Sequence, residues 1–211
     1  MNLPGAKKIT VSPNIKICFE LLPLDILSQK LEVVLLLTLN QPGYKIYEFI
    51  TRESTNHPVY VEIHGPTLNC NLIMLGEQAT HVYCKETSSF EDTITKLNHI
   101  FSSRDMYEAR IYKIELYLPL TEPQPIMRLL HALYLSTIMC EFEESLYFIR
   151  ELERKVQEDL TSTVSFKKGP SCVGNIKREF RELKRRVEKN QLLEFLDQVQ
   201  AFAKIYASCK A

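Results

Sequence analysis

Apolar and polar positions alternate with a period of two through most of the first half of the chain. They recur at steps of three and four through the second half. Leu31 to Leu39 is a Leu- and Val-rich run closed by Asn40-Gln41-Pro42-Gly43. Tyr44-Lys45-Ile46-Tyr47-Glu48-Phe49-Ile50 follows at once, so residues 31–50 read as a β-hairpin. Val59 to Ile63, the turn His64-Gly65-Pro66 and Leu68 to Leu75 predict a second pair, and His81-Val82-Tyr83-Cys84 a further strand. Ile15 to Phe19 alternates as a strand, after a loose arm over 1–14 broken by Pro4, Gly5 and Pro13. Ser89 is a good N-cap with Asp92 three residues on. Phe90, Ile94, Leu97 and Phe101 then predict a helix over about 90–102. Tyr107 to Leu118 returns to alternation and is stopped by Pro119.

The second half reads differently. Ile126 to Leu160 holds no Gly or Pro and predicts one long helix over about 125–160. Its first part is apolar all round and requires cover on every side. Its second part narrows to a stripe of Phe142, Leu146, Ile149, Leu152, Val156 and Leu160. A polar connector spans 161–172. Val173, Ile176, Phe180, Leu183 and Val187 then form a narrow seam. The seam slips near Lys189-Asn190 and a new stripe takes over, predicting a broken helix over about 174–208.

These elements give an α+β class: an antiparallel β-rich head over 1–118, as a sandwich or curled sheet with one inserted helix, then an antiparallel helical hairpin over 123–208. Charge supports the hairpin. Glu141 to Asp159 carries seven acids against three bases, and Lys177 to Lys189 seven bases against three acids. Folded back across the connector, Glu158 falls near Ile176 and Arg150 near Lys184, with opposite charge facing across.

Composition narrows the function classes. The formal net charge is zero, so no global field draws the chain to nucleic acid or an anionic membrane. The apolar run Val33 to Leu39 is far too short to cross a bilayer. The six cysteines (18, 70, 84, 140, 172 and 209) form no Cys-x-x-Cys pair, and the N-terminus lacks an apolar leader. They read as free, mostly buried thiols in a reducing compartment, cytoplasm or nucleus.

Candidate chemistry is sparse. Gly169-Pro170-Ser171-Cys172-Val173-Gly174 has a Walker-like glycine spacing, but Asn175-Ile176 stands where Lys-Ser/Thr is required. His64, Cys70, His81 and Cys84 are metal-ligand types in one region without paired knuckles, so buried thiols and separate histidines are the expectation. Cys70 or Cys84 with a histidine lacks any local nucleophile signature. Glu91-Asp92 is explained by helix capping. No catalytic residue, cofactor site or metal site is expected. Two surfaces remain. The stripe Leu192, Phe195, Leu196, Val199, Phe202 and Tyr206 either covers the apolar helix or docks on a partner. The basic set Lys177, Arg178, Arg181, Lys184, Arg185, Arg186 and Lys189 suits phosphates. The expected function is a non-catalytic adaptor or structural subunit that binds protein partners or a second copy, with no membrane role. A nucleic-acid-associated factor using the basic helix is the alternative.

Overall fold

The computed structural model describes residues 10–11, 28–66, 68–115, 125–161 and 169–210. The expected arm over 1–14 (but for 10–11), the strand Ile15 to Phe19, the end of the strand beyond 115 and most of the 161–172 connector lie outside the described residues. The chain divides into two compact units, Met1–Glu115 and Leu116–Ala211. It is an α+β protein.

The first unit is built on a six-stranded sheet: β1 (Thr10–Val11), β2 (Val33–Pro42), β3 (Val59–His64), β4 (Asn69–Leu75), β5 (Gln78–Cys84) and β6 (Met106–Ile114). Their order is β1-β5-β4-β3-β6-β2, with β1 parallel to β5 and every other pairing antiparallel. Two helices, α1 (Gly43–Glu53) and α2 (Phe90–Ser102), contribute to its core. Ile46, Tyr47 and Ile50 of α1 join Leu97, Ile100 and Phe101 of α2. Both sets pack in one apolar cluster with Val59, Val61, Ile63, Leu72, Met74, Ala109 and Ile111 from the sheet. Ser89 caps α2, its hydroxyl accepting from the Asp92 amide at 3.1 Å.

The hairpin expected over 31–50 is corrected: 43–53 is helical. Its apolar side chains satisfy both periods, since Ile46, Tyr47 and Ile50 also share one helical face. Burial of that face decides the matter. The strand partner of β2 is the distant β6, Val33 opposite Ile114 and Pro42 opposite Met106. Gly43 makes the turn from β2 into α1 possible, because a Cβ there would lie 1.9 Å from the Ile100 carbonyl oxygen. A bulge between Leu35 and Leu37 interrupts β2. Val34 and Leu35 are left about half exposed, at 51% and 53%.

The free-thiol reading is also corrected. Cys70 and Cys84 face each other on β4 and β5, 4.1 Å apart at Cα, and are disulfide-bonded. The turn Gly76-Glu77, with Gly76 at φ 58°, would set Cys70 opposite Tyr83. A bulge between Ile73 and Met74 moves the register by one residue and brings Cys84 opposite instead. Cys172 and Cys209 form a second disulfide, and Cys140 is disulfide-bonded too. No described cysteine is a free thiol, so the premise for a reducing compartment falls.

The second unit contains α3 (Pro125–Ile138), α4 (Phe142–Thr161), α5 (Gly169–Glu188) and α6 (Leu192–Lys210). The single helix expected over 125–160 is therefore two helices. Cys140 adopts φ 59° and ends α3 in a Schellman turn: the Glu141 amide donates to the Ser136 carbonyl and the Cys140 amide to the Thr137 carbonyl. Asn190 does the same at φ 52°, with Gln191 donating to Arg186 and Asn190 to Val187. The second break matches the slip in the seam. The first carries no Gly or Pro to announce it.

The two helix pairs share one plan. Ile126, Leu130 and Leu133 on α3 correspond to Ile176, Phe180 and Leu183 on α5. Ser145, Ile149, Leu152 and Val156 on α4 correspond to Phe195, Val199, Phe202 and Tyr206 on α6, and all are buried. Four amphipathic helices with matching apolar seams close into a bundle in which α3 meets α4 and α6, and α5 meets α4 and α6. No described helix is long and apolar enough to cross a membrane.

Candidate functional site

The seam of α5 settles which side chains face outward. Ile176, Phe180, Leu183 and Val187 enter the bundle. The positions one step on, Lys177, Arg181, Lys184 and Glu188, face α4, where Glu153, Val156, Gln157 and Leu160 meet them. Between these rows lies a groove of about 450 Å³, with Arg185 completing its rim. The groove floor is the part-buried Leu160 with the edges of the buried Val156 and Phe180; its walls are polar and mostly cationic. Lys184 Nζ donates to both carboxylate oxygens of Glu153, at 3.0 and 2.8 Å. This contact confirms that α5 doubles back on α4, with Lys184 reaching Glu153, just under one turn beyond the expected neighbour Arg150.

The seven basic residues do not form one face. Lys177, Arg181, Lys184 and Arg185 line the groove, while Arg178 and Lys189 are solvent-exposed outside it. Arg186 lies on the α6 side and donates to the Gln191 side chain at 2.8 Å. Glu182 binds Arg185 at 2.6 Å, and Glu179 binds Arg178 at 3.0 Å. Lys177, Arg181 and Lys189 make no ion pair among the described residues. The positive charge left over on the rim is therefore concentrated at Lys177 and Arg181.

The stripe read as a partner surface is interior. Leu192, Phe195, Leu196, Val199, Phe202 and Tyr206 are all buried, and Phe202 sits edge-on to Phe180 with centroids 5.8 Å apart. Presenting them to a partner would require the bundle to open, so that surface is corrected to core. The stripe takes its other expected destination, packing on the apolar helix α3 and on α5.

One end of the bundle is tied. The Tyr206 hydroxyl donates to Asp159 Oδ2, and Lys210 Nζ donates to the same oxygen at 2.9 Å. Burial works against ionisation of Asp159, but these two donors outweigh it and hold the carboxyl below its usual range. Burial and the same carboxylate push the Tyr206 phenol upward. The Cys172–Cys209 disulfide links α5 to α6 near the same end. Both donors reach from α6 to a carboxylate on α4, so the cluster is a clasp.

In the sheet unit, Tyr60 and Tyr112 donate to the two carboxylate oxygens of Glu62 at 3.2 and 3.0 Å, and their rings lie 5.6 Å apart. Burial raises both phenols. His64 Nδ1 pairs with Asn69 at 3.0 Å. The weighed His64, Cys70, His81, Cys84 set loses both sulfurs to their mutual disulfide, and no cluster of three or more ligand-type residues occurs among the described residues.

Comparison with protein-family models, with curated proteins and with solved structures finds no match to this chain. The groove stands on its own geometry. Its basic rim is legible in the sequence. Its other wall, Glu153 and Gln157, is signalled only by their place one step from the seam residues Leu152 and Val156.

Proposed function

We propose that this chain is a non-catalytic adaptor that captures a protein partner, and that the α4–α5 groove is its capture surface. The observation that carries this reading is an apolar floor framed by cations that the chain's own carboxylates leave unneutralised. Such a floor and rim give a partner both burial and orientation. The bundle beneath is closed by a disulfide and the Asp159 clasp, so the surface is held in shape before a partner arrives.

Site-directed photo-cross-linking tests the reading. A cross-linker placed at Arg181 should yield a discrete protein adduct, identified by mass, that the same group at exposed Lys204 on α6 does not give. Identical adduct patterns from the two positions would sink it.

Nucleic-acid contact through Lys177, Arg178, Arg181, Lys184, Arg185, Arg186 and Lys189 is the second reading, favoured by the exposed cations Lys177, Arg181 and Lys189. It requires affinity for duplex DNA to fall steeply and log-linearly with salt, by about one power of salt per phosphate contacted. Glu153 and Glu188 in the same groove oppose it. The disulfides favour maturation in an oxidising environment over the cytoplasm or nucleus. A free-thiol titration of native protein without reductant checks this, with none reacting at Cys70, Cys84, Cys172 or Cys209 as the expected result.

A further inference from the structure

We infer that the occupant of the groove is an acidic amphipathic helix from a partner protein. Its apolar stripe would lie on Val156, Leu160 and Phe180, with its carboxylates against Lys177 and Arg181. The inference rests on the adaptor reading and names the chemistry of its partner.

Three features converge on a helix of that charge. The α5 wall runs from Lys177 to Glu188, about 16 Å at the helical rise, or three turns. A helix laid along it matches a wall whose own positions step by three and four, whereas an extended strand would present alternate residues to a surface without that period. The charge is selective. Glu153 neutralises Lys184 and Glu182 neutralises Arg185. Lys177 and Arg181 are left, and they stand one turn apart on the same side. Two carboxylates one turn apart on a docked helix meet that spacing.

The floor is ready for an apolar anchor. Leu160 is its part-buried member, while Val156 and Phe180 show only 3% and 7% of their surface, so an anchor would rest on Leu160 and on the aliphatic stems of the rim lysines and arginines. A polyphosphate backbone suits the site less well. It has no apolar stripe to set against Leu160 and the aliphatic stems of the rim.

Fluorescence anisotropy on the full chain tests the inference with synthetic helical peptides of about 14 residues, long enough to span the wall. One carries Leu at helical spacing with Glu on both flanks. A second replaces Glu by Lys, a third replaces Leu by Ser, and a fourth scrambles the first. The Glu/Leu helix should bind best. The double variant Lys177→Glu with Arg181→Glu should weaken it about tenfold and gain affinity for the Lys/Leu helix. Circular dichroism and thermal melting of that variant should match the parent, because both positions are exposed.

Binding of the Glu/Leu helix no tighter than its scrambled form overturns the inference. So does indifference to the charge reversal, or tighter binding of a duplex oligonucleotide. Should the cross-linker at Arg181 capture a protein while no peptide binds, the helical occupant falls and the adaptor reading stands. Failure of both experiments removes both.

Discussion

The α3–α4 and α5–α6 pairs use the same elbow and bury the same positions, yet they solve different problems. The first elbow is lined with hydroxyls: Ser145 Oγ lies 3.1 Å from Ser136 Oγ and accepts from Thr137 at 3.2 Å. The second elbow places Phe195 where the first has Ser145, and its interior is aromatic, with Phe180, Phe202 and Tyr206 in contact. Glu141, just past the first elbow, stands beside Glu144, and burial together with that neighbour pushes its carboxyl up. Gln191 occupies the equivalent place in the second elbow and accepts from Arg186. One backbone plan thus serves a pair with a hydroxyl-lined elbow and a pair with an aromatic interior whose outer wall carries charge. Helix pairing is set by seam position, while the residues on the seam set its chemistry.

That contrast breaks first at its largest side chains. Phe195→Ala should cost about 3–5 kcal/mol in urea denaturation, because it leaves a cavity in a packed interior. Ser145→Ala, at the matching position, should cost only about 1–2 kcal/mol, the loss of a buried hydrogen-bond partner. Equal costs would mean that the two interiors are alike after all.

The staple comes next. Cys172 and Cys209 are separated by 37 residues. Replacing both by Ser should lower stability by roughly 2–4 kcal/mol, chiefly by releasing the unfolded chain. Calorimetry of the variant checks this.

The clasp sharpens the comparison through pH. Asp159 has a folded pKa below its unfolded value, so its contribution is present at neutral pH and disappears as pH falls through the folded value. Asp159→Asn should cost about 1–2 kcal/mol near pH 7. The gap between variant and parent should then close between about pH 5 and pH 2, as followed by melting temperature.

Smaller effects test the elbow and the groove. Asn190→Ala should destabilise by about 1 kcal/mol, since alanine lacks the short polar side chain that eases asparagine into the left-handed region, while Asn190→Gly should be neutral or stabilising. Lys184→Ala should change stability by less than about 1 kcal/mol, because its pair with Glu153 is partly solvated. That last variant separates orientation from stability: the groove would change its charge while the bundle holds.

Much of this architecture is written locally. The helix over Phe90–Ser102 follows from its cap and its periodic apolar residues, and the strand pair about Gly65 from alternation and a turn. The opposed charge on α4 and α5 foretold their contact, and the slip in the apolar seam marked the elbow at Asn190. The break at Cys140 was not legible, because Met139, Cys140 and Glu141 contain no residue that obliges a helix to stop. Nor was the helix at Gly43, where both periods fit the same letters.

The groove was half visible: its cations stand out in the chain, and its floor is hidden among residues that look like any other seam. What the amino-acid order determined by itself is the set of amphipathic segments, since each needs only the spacing of its own apolar side chains. What the tertiary structure alone decided is which apolar faces were consumed and which cysteines met. Both depend on register between distant segments, as at the β4–β5 bulge, and register is won by collective burial that no short stretch encodes.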